Sequence, residues 1–492
     1  MVSLSIVLVP LLLLFLSIDS PFFEIWGRTD SSWYFTAGKA WVEGMIPYVD
    51  FSDSKGPLLW LIYGLGYLIS NNDFVGVWIL TGISYWITIW FIYGIVILFI
   101  DSRWVALLVG ILMLWCYFNP FMHYETRPED FCQPFIAMSM WATCRVLYCK
   151  AEARHHIDRL LRQGAWIIGI AIGASLLIKF TIAMMIAFFA IVLCFYSWHS
   201  KAIAIKSLVW RIGTGILLVC LPFVFYFCFL GNLDDFIKEY FVLTSKISSH
   251  SPRLNIVKWI LGGGFLSSLI IIMSLSTGTV FLLVKNYAWA PLATFWWFLL
   301  ITVQNAEWTY YYYSCLIFAV FGFISISILA SKLLINRKLN TVLYVLVLCG
   351  IGYASFYHAS NNLANFKLVE HNNDPLKDMG TEYYHHVDIV KKVYKPHIVF
   401  FNYNNKVNVA DATCGLPGCK YWAKQYGANN MQEMQYVQIK EKKPHFIYIK
   451  KSDFKSRGRV ENLGYFCLIQ PGKFYNAFLY ASPQLKKLYQ ED

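Results

Sequence analysis

An aspartate one helical turn ahead of a tyrosine, a lysine just before Gly-Pro, and a knot of His, Glu, Arg and Asp are the side chains best equipped for chemistry in this sequence. The first two stand in RTDSSWYFTAGKAWVEGMIPYVDFSDSKGPLL, Arg28 to Leu59. Asp30 opens a helical-looking run in which it shares a face with Tyr34, as Lys39 does with Glu43. Gly44 and Pro47 break that run, leaving Asp50, Asp53 and Lys55 in an irregular stretch. The knot is HYETRPED, with His123, Glu125, Arg127, Glu129 and Asp130. A positioned carboxylate can take a proton from a hydroxyl, and a lysine can hold an anionic headgroup. The arginine fork matches phosphate oxygens. A third group, Tyr310 to Tyr313 in QNAEWTYYYYS, adds hydroxyls. Each group also has a bland reading. Glu24, Glu43 and Asp50 suit solvated positions, HYETRPED suits a structural ion network, and the tyrosines suit an aromatic belt at a membrane surface.

The elements that carry these groups belong in a bilayer. Of 492 residues, 58% are hydrophobic and only 14% charged, against about a quarter charged in soluble domains. Phe74 to Ile100 and Trp259 to Val284 contain no Asp, Glu, Lys, Arg or His. Each exceeds the roughly 20 residues a helix needs to cross the hydrocarbon core. MVSLSIVLVPLLLLFLSID has neither a basic start nor a small-x-small cleavage site, so it reads as a retained first helix. The formal charge of +12 gathers at Arg145, Lys150, Arg154, Arg159 and Arg162 in one expected loop, and at Lys332, Arg337 and Lys338 in another. The positive-inside rule assigns both to the cytoplasm. No recognition helix or aromatic-basic platform accompanies the charge, which argues against nucleic acid.

Threading the chain from an inside amino terminus gives about eleven spans. The opening loop, HYETRPED and the tyrosine run then emerge on the outer side. GPLLWLIYGLGYLIS is too short to cross, so it reads as an interfacial or re-entrant helix. Residues 1–357 form the expected transmembrane catalytic domain. Residues 358–492 form an expected extracytoplasmic α/β domain, in which PHIVFF, PHFIYIK and YFCLIQ read as strands. Cys414 and Cys419 in TCGLPGCK suit a short disulfide if that tail lies outside, or a zinc half-site.

An embedded protein with outer carboxylates and anionic-lipid contacts suits sugar transfer from a lipid phosphate. One carboxylate would act as base on an acceptor hydroxyl, while the departing phosphate needs charge stabilisation rather than a strong acid. Attack opposite the phosphate would invert the anomeric carbon. Two rivals are a transporter, which should place its polar groups near the bilayer midplane, and a lipid-linked polysaccharide polymerase or O-antigen-type ligase. Carboxylates in the outer loops could also bind a divalent cation, though no compact spacing compels it.

The order D-x-x-W-Y, G-x-x-P-Y-x-D, K-G-P-L and later R-P-E resembles the GT-C type membrane glycosyltransferases, in particular the protein O-mannosyltransferase and aminoarabinose transferase group. The resemblance implies a polytopic α-helical GT-C fold in a bacterial inner membrane and a polyprenyl-phosphate-linked monosaccharide donor. It also implies inverting transfer to a lipid, protein or glycan hydroxyl on the periplasmic side. Asp30 matches that group's catalytic aspartate. Lys55 matches its phosphate-binding lysine, with Gly56 in place of a proline. Arg127, Pro128 and Glu129 match its R-P-D, so the acid is one methylene longer, and the adjacent Asp130 competes for the role. Tyr34, Asp53, His123 and Glu125 are the substrate-binding candidates beside them. Tyr311 and Tyr312 only loosely occupy the region of its His-Tyr element.

Overall fold

A computed structural model describes residues 2–17, 19–22, 30–71, 73–118, 125–148, 154–243, 309–333, 375–393, 398–402, 413, 415–418, 420, 431–472 and 477–490. The chain divides into two compact units. One comprises Met1–Ser17, Thr81–Tyr226 and His250–Asn361; the other comprises Ile18–Leu80, Phe227–Ser249 and Asn362–Asp492.

The helices follow in order as α1 (Val2–Leu16), α2 (Asp30–Val42), α3 (Pro57–Ile69), α4 (Val75–Phe99), α5 (Arg103–Tyr117) and α6 (Pro128–Tyr148). They continue with α7 (Arg154–Ile178), α8 (Phe180–Ser200), α9 (Ile205–Phe229) and α10 (Leu233–Phe236), which runs into a π-helical stretch Ile237–Leu243. Among the described residues, four helices are long and apolar enough to cross a membrane: α4, most of α7, α8 and α9. The expected spans at Trp259 to Val284 and near 341–357 lie outside the described residues. α7 differs from its sequence reading. It starts at Arg154, so Arg154, Arg159 and Arg162 occupy its first turns rather than a loop, and Arg145 lies in the last turn of α6. Arginine is a good helix former, and its long stem keeps the charge in water while the helix extends below it.

α7 packs against its neighbours through small residues. A Cβ on Gly169 would come within 2.4 Å of the Ile212 carbonyl oxygen, and Gly215 faces the same seam. Gly169 and Gly173 repeat at four residues, the spacing that lets membrane helices approach closely.

In the other unit, α2 ends as the sequence predicts, with Gly44 in a left-handed conformation at φ +90°. α3 spans only 13 residues, about 20 Å at the usual rise, well short of the roughly 30 Å hydrocarbon core. Its GLG sequence serves two partners. Gly64 meets Gly38 of α2, and Gly66 meets Gly76 at the start of α4. Positions two apart on a helix point to nearly opposite sides.

The same unit holds a five-stranded mixed sheet in the order β2-β1-β3-β5-β4. β1 (Ile398–Asn402), β3 (Phe446–Lys450) and β4 (Phe466–Ile469) are the strands expected from sequence. β2 (Gly415–Pro417) and β5 (Ala477–Ala481) are not. β5 is buried at every position, so AFLYA shows no polar alternation to mark it. β1 runs parallel to β2 and β3, whereas β5 is antiparallel to both β3 and β4. Val387 and Val390 of the helix Pro375–Lys391 cover Phe446, Tyr448 and Leu479. His386, on that helix, stacks on Tyr448 and bonds its hydroxyl at 3.1 Å.

Gly38→Ala should destabilise the protein by about 1–3 kcal/mol through overpacking, because its Cβ would lie 2.5 Å from the Gly64 nitrogen. Gly213→Ala, which meets open space, should not; equal thermal unfolding of the two variants would contradict this packing. Burial holds the His386 imidazole down at about 4, with His385 adding to the fall and Glu382 opposing it. The unfolded chain therefore binds the extra proton first, and the sheet loses stability as pH falls from about 6.5 toward 4. The loss should reach about 3 kcal/mol. Hydrogen exchange at Phe446–Lys450 in the full chain, corrected for intrinsic rate, should show it in the wild type and not in His386→Gln.

Candidate active site

Four of the sequence-read residues lie in the unit built from Ile18–Leu80, Phe227–Ser249 and Asn362–Asp492. Asp30 is the first residue of α2 and exposed. It makes no ion pair among the described residues. Tyr34, one turn later, is buried edge-on against Tyr63 of α3 at 5.7 Å. The Lys55 ammonium stands 5.6 Å from the centre of the Tyr34 ring, within reach of a cation–π attraction. It also donates to Ser54 Oγ at 2.9 Å. Lys55 is half-buried and, among the described residues, pairs with no carboxylate. Asp53 accepts from the Ser54 amide and hydroxyl.

The turn before Lys55 is held by a side chain. Tyr48 has a left-handed φ of +66°, uncommon for a residue with a bulky side chain. Its ring compensates by packing on Trp60 at 4.7 Å and Phe236 at 5.2 Å. Its amide donates to Phe51 O at 2.7 Å, and its hydroxyl donates to Lys55 O at 3.0 Å. Burial pushes this phenol well above its ordinary value, and Tyr240, Asp53 and Glu239 add to the rise. Tyr48 therefore remains a hydrogen-bond donor at any physiological pH.

The R-P-E group lies in the other unit, where Pro128 starts α6 and both acids occupy its first turn, a position favoured by the helix dipole. Arg127 donates to Glu125 at 3.1 Å, both side chains being buried. Glu129 is ion-paired with Lys179, the single residue that separates α7 from α8. Asp130 is fully buried. One of its oxygens accepts the Arg127 amide at 2.6 Å. The other accepts the hydroxyls of Tyr85 and Tyr313, the latter at 2.8 Å. Tyr313 lies in a 3-10 helix, Thr309–Phe318. His123 lies outside the described residues, as do the side chains of Tyr311 and Tyr312.

Sequence reasoning missed Lys179, Tyr85 and Glu239. A signal existed for Lys179, a lone charge between two apolar runs. Tyr85, inside a continuous apolar helix, carried none. Among the described residues, no group of three or more His, Cys, Asp or Glu is arranged to hold a metal ion. Cys414 and Cys419 lie outside the described residues.

Residues 54–226 match the family model described as dolichyl-phosphate-mannose-protein mannosyltransferase. The match takes in Lys55, Arg127, Glu129 and Lys179, and begins after Asp30. Two crystal structures of ArnT from Cupriavidus metallidurans, one bound to undecaprenyl phosphate and one in the apo state, have similar folds. In each case the TM-score is 0.61 at 12% identity, covering 98% of this chain and 97% of the other. About a third of the chain thus matches the mannosyltransferase family model, and the chain as a whole has a fold similar to that of ArnT. The matched family and the fold indicate a glycosyltransferase in the membrane. A search of the curated proteins found no match.

Asp130→Ala would remove the acceptor shared by the Tyr85 and Tyr313 hydroxyls and the acceptor of the Arg127 amide in a buried site. It should cost more than about 2 kcal/mol, read as equilibrium unfolding in mixed micelles. Stability equal to wild type would mean that Asp130 does not organise this cluster.

Proposed function

We propose that this protein is an inverting glycosyltransferase that moves a monosaccharide from a polyprenyl-phosphate donor to a hydroxyl of a lipid, protein or glycan. The reading places the reaction on the periplasmic face of a bacterial inner membrane. One observation carries it: beside Tyr34 the chain sets an exposed acid, Asp30, at a helix start, and a lysine on the ring face, neither neutralised by an ion pair among the described residues. The ArnT structure with undecaprenyl phosphate supports a polyprenyl-phosphate donor for a chain of this fold.

Asp30 accepts the proton of the acceptor hydroxyl as that oxygen attacks the anomeric carbon. The bond from that carbon to the phosphate oxygen breaks, and the polyprenyl phosphate departs with its negative charge. Lys55 meets that charge, and the Tyr34 face holds the ammonium ready between turnovers. Asp53 and Tyr34 line the donor side of this loop. Attack opposite the leaving phosphate inverts the anomeric centre.

Of the two adjacent acids in the R-P-E group, Glu129 takes the role matched to the family acid, with Lys179 as its counterion. Asp130 serves as scaffold, since both of its oxygens are already engaged. Arg127 engages Glu125 through one nitrogen of its guanidinium, and in this reading the fork contacts the donor phosphate.

In the purified enzyme with a polyprenyl-phosphate monosaccharide, Asp30→Asn should lower kcat at least about 100-fold, within the usual range for removing a general base. Lys55→Ala should mainly weaken donor use. Undiminished transfer by Asp30→Asn would remove the proposed base, and retention of anomeric configuration would remove the single-displacement course.

A further inference from the structure

The TCGLPGCK motif near the carboxyl terminus has no part in the chemistry above, yet it is built into the loop that carries Lys55. Both belong to the same compact unit. At the motif's start, the buried Lys39 of α2 donates to Thr413 O at 2.9 Å. At its end, Lys420 O accepts the Ser52 amide at 2.8 Å. The Lys420 ammonium lies 3.1 Å from Glu239 and 3.2 Å from Asp235. Glu239 turns its other oxygen to the buried Ser52 hydroxyl at 2.9 Å. Asn232, on the same post-α9 segment, donates to Pro47 O at 3.3 Å.

These bonds enclose the stretch from Pro47 to Lys55 on two sides. Ser52 is the meeting point, since its amide is held by the motif and its hydroxyl by Glu239. Only two residues, Asp53 and Ser54, separate it from Lys55, whose carbonyl is fixed by Tyr48. Lys420 is largely buried, as is Glu239. A pair of this kind is geometrically demanding, and removing one member leaves the other charge poorly solvated.

We propose that Lys420 is a positioning residue: through Glu239 and Ser52 it sets the placement of the loop bearing Asp53 and Lys55, so the carboxyl-terminal segment is a working part of the donor site. The consequence for catalysis rests on the proposed function, whereas the latch itself does not. Misplacing a binding group by about 1 Å can cost up to about 100-fold in rate, so the effect should be visible in kinetics.

Two measurements on the full-length protein in lipid nanodiscs test it. Hydrogen exchange at Met45–Lys55 should rise at least about tenfold in Lys420→Ala and in the milder Ser52→Ala, and return near wild type in Lys420→Arg, whose fork can span both carboxylates. In transfer assays with a polyprenyl-phosphate monosaccharide, the donor KM should rise about tenfold with kcat within about threefold, again rescued by arginine. Unchanged exchange in both alanine variants overturns the latch. Raised exchange with wild-type donor KM overturns its role in the donor site. Should the wild type itself transfer no sugar from such donors while exchange behaves as expected, the proposed function fails and the latch stands. Misfolding of Lys420→Ala leaves Ser52→Ala to decide, because that change removes one hydroxyl and no charge.

Discussion

Taking a charge out of water is costly unless another charge, a dipole or an aromatic face replaces the solvent. The arrangement of this protein's few ionisable groups follows from that constraint. Arg127 has Glu125, Lys179 has Glu129, and Lys420 has both Asp235 and Glu239. The buried Lys39 has a backbone carbonyl. Against this background Asp30 and Lys55 stand apart. The acid is exposed, and among the described residues the lysine rests on a ring and a hydroxyl rather than on a carboxylate. A cation held by a ring face keeps most of its charge available to an incoming anion.

Geometry around Lys55 is costly in its own right. Tyr48 occupies a left-handed conformation that favours glycine, and its ring, hydroxyl and amide all hold it there. Such local strain persists only where the surroundings over-determine it. Here the surroundings come from three stretches of chain, namely the opening loop itself, Trp60 of α3 and the segment after α9. The R-P-E group is built differently. Its helix start, two tyrosine hydroxyls and a backbone amide saturate Asp130, and a helix break supplies the lysine for Glu129.

Several expectations drawn from residue order hold because the governing interactions are local. Asp30–Val42 and Pro57–Ile69 form helices whose limits follow Gly44, Pro47 and Gly56-Pro57. β1, β3 and β4 coincide with the apolar runs PHIVFF, PHFIYIK and YFCLIQ. The arginines of α7 depart from expectation because hydropathy marks where a helix enters the bilayer, not where its first turn begins. β5 escaped because a strand buried on both faces has no period-two pattern.

The sequence by itself determined a membrane protein built of apolar helices, one helix of only 13 residues, and the residue types of two candidate groups. Those features depend on hydrophobic runs, breakers and spacings that act within a few residues. Only the tertiary structure decided the partners: Lys179 for Glu129, Tyr85 and Tyr313 for Asp130, and Glu239 and Lys420 for the loop before Lys55. These groups lie 45 to 368 positions apart in the chain, from Tyr85–Asp130 to Ser52–Lys420. Their pairing depends on how helices pack and where loops close, and spacing along the chain carries no record of that.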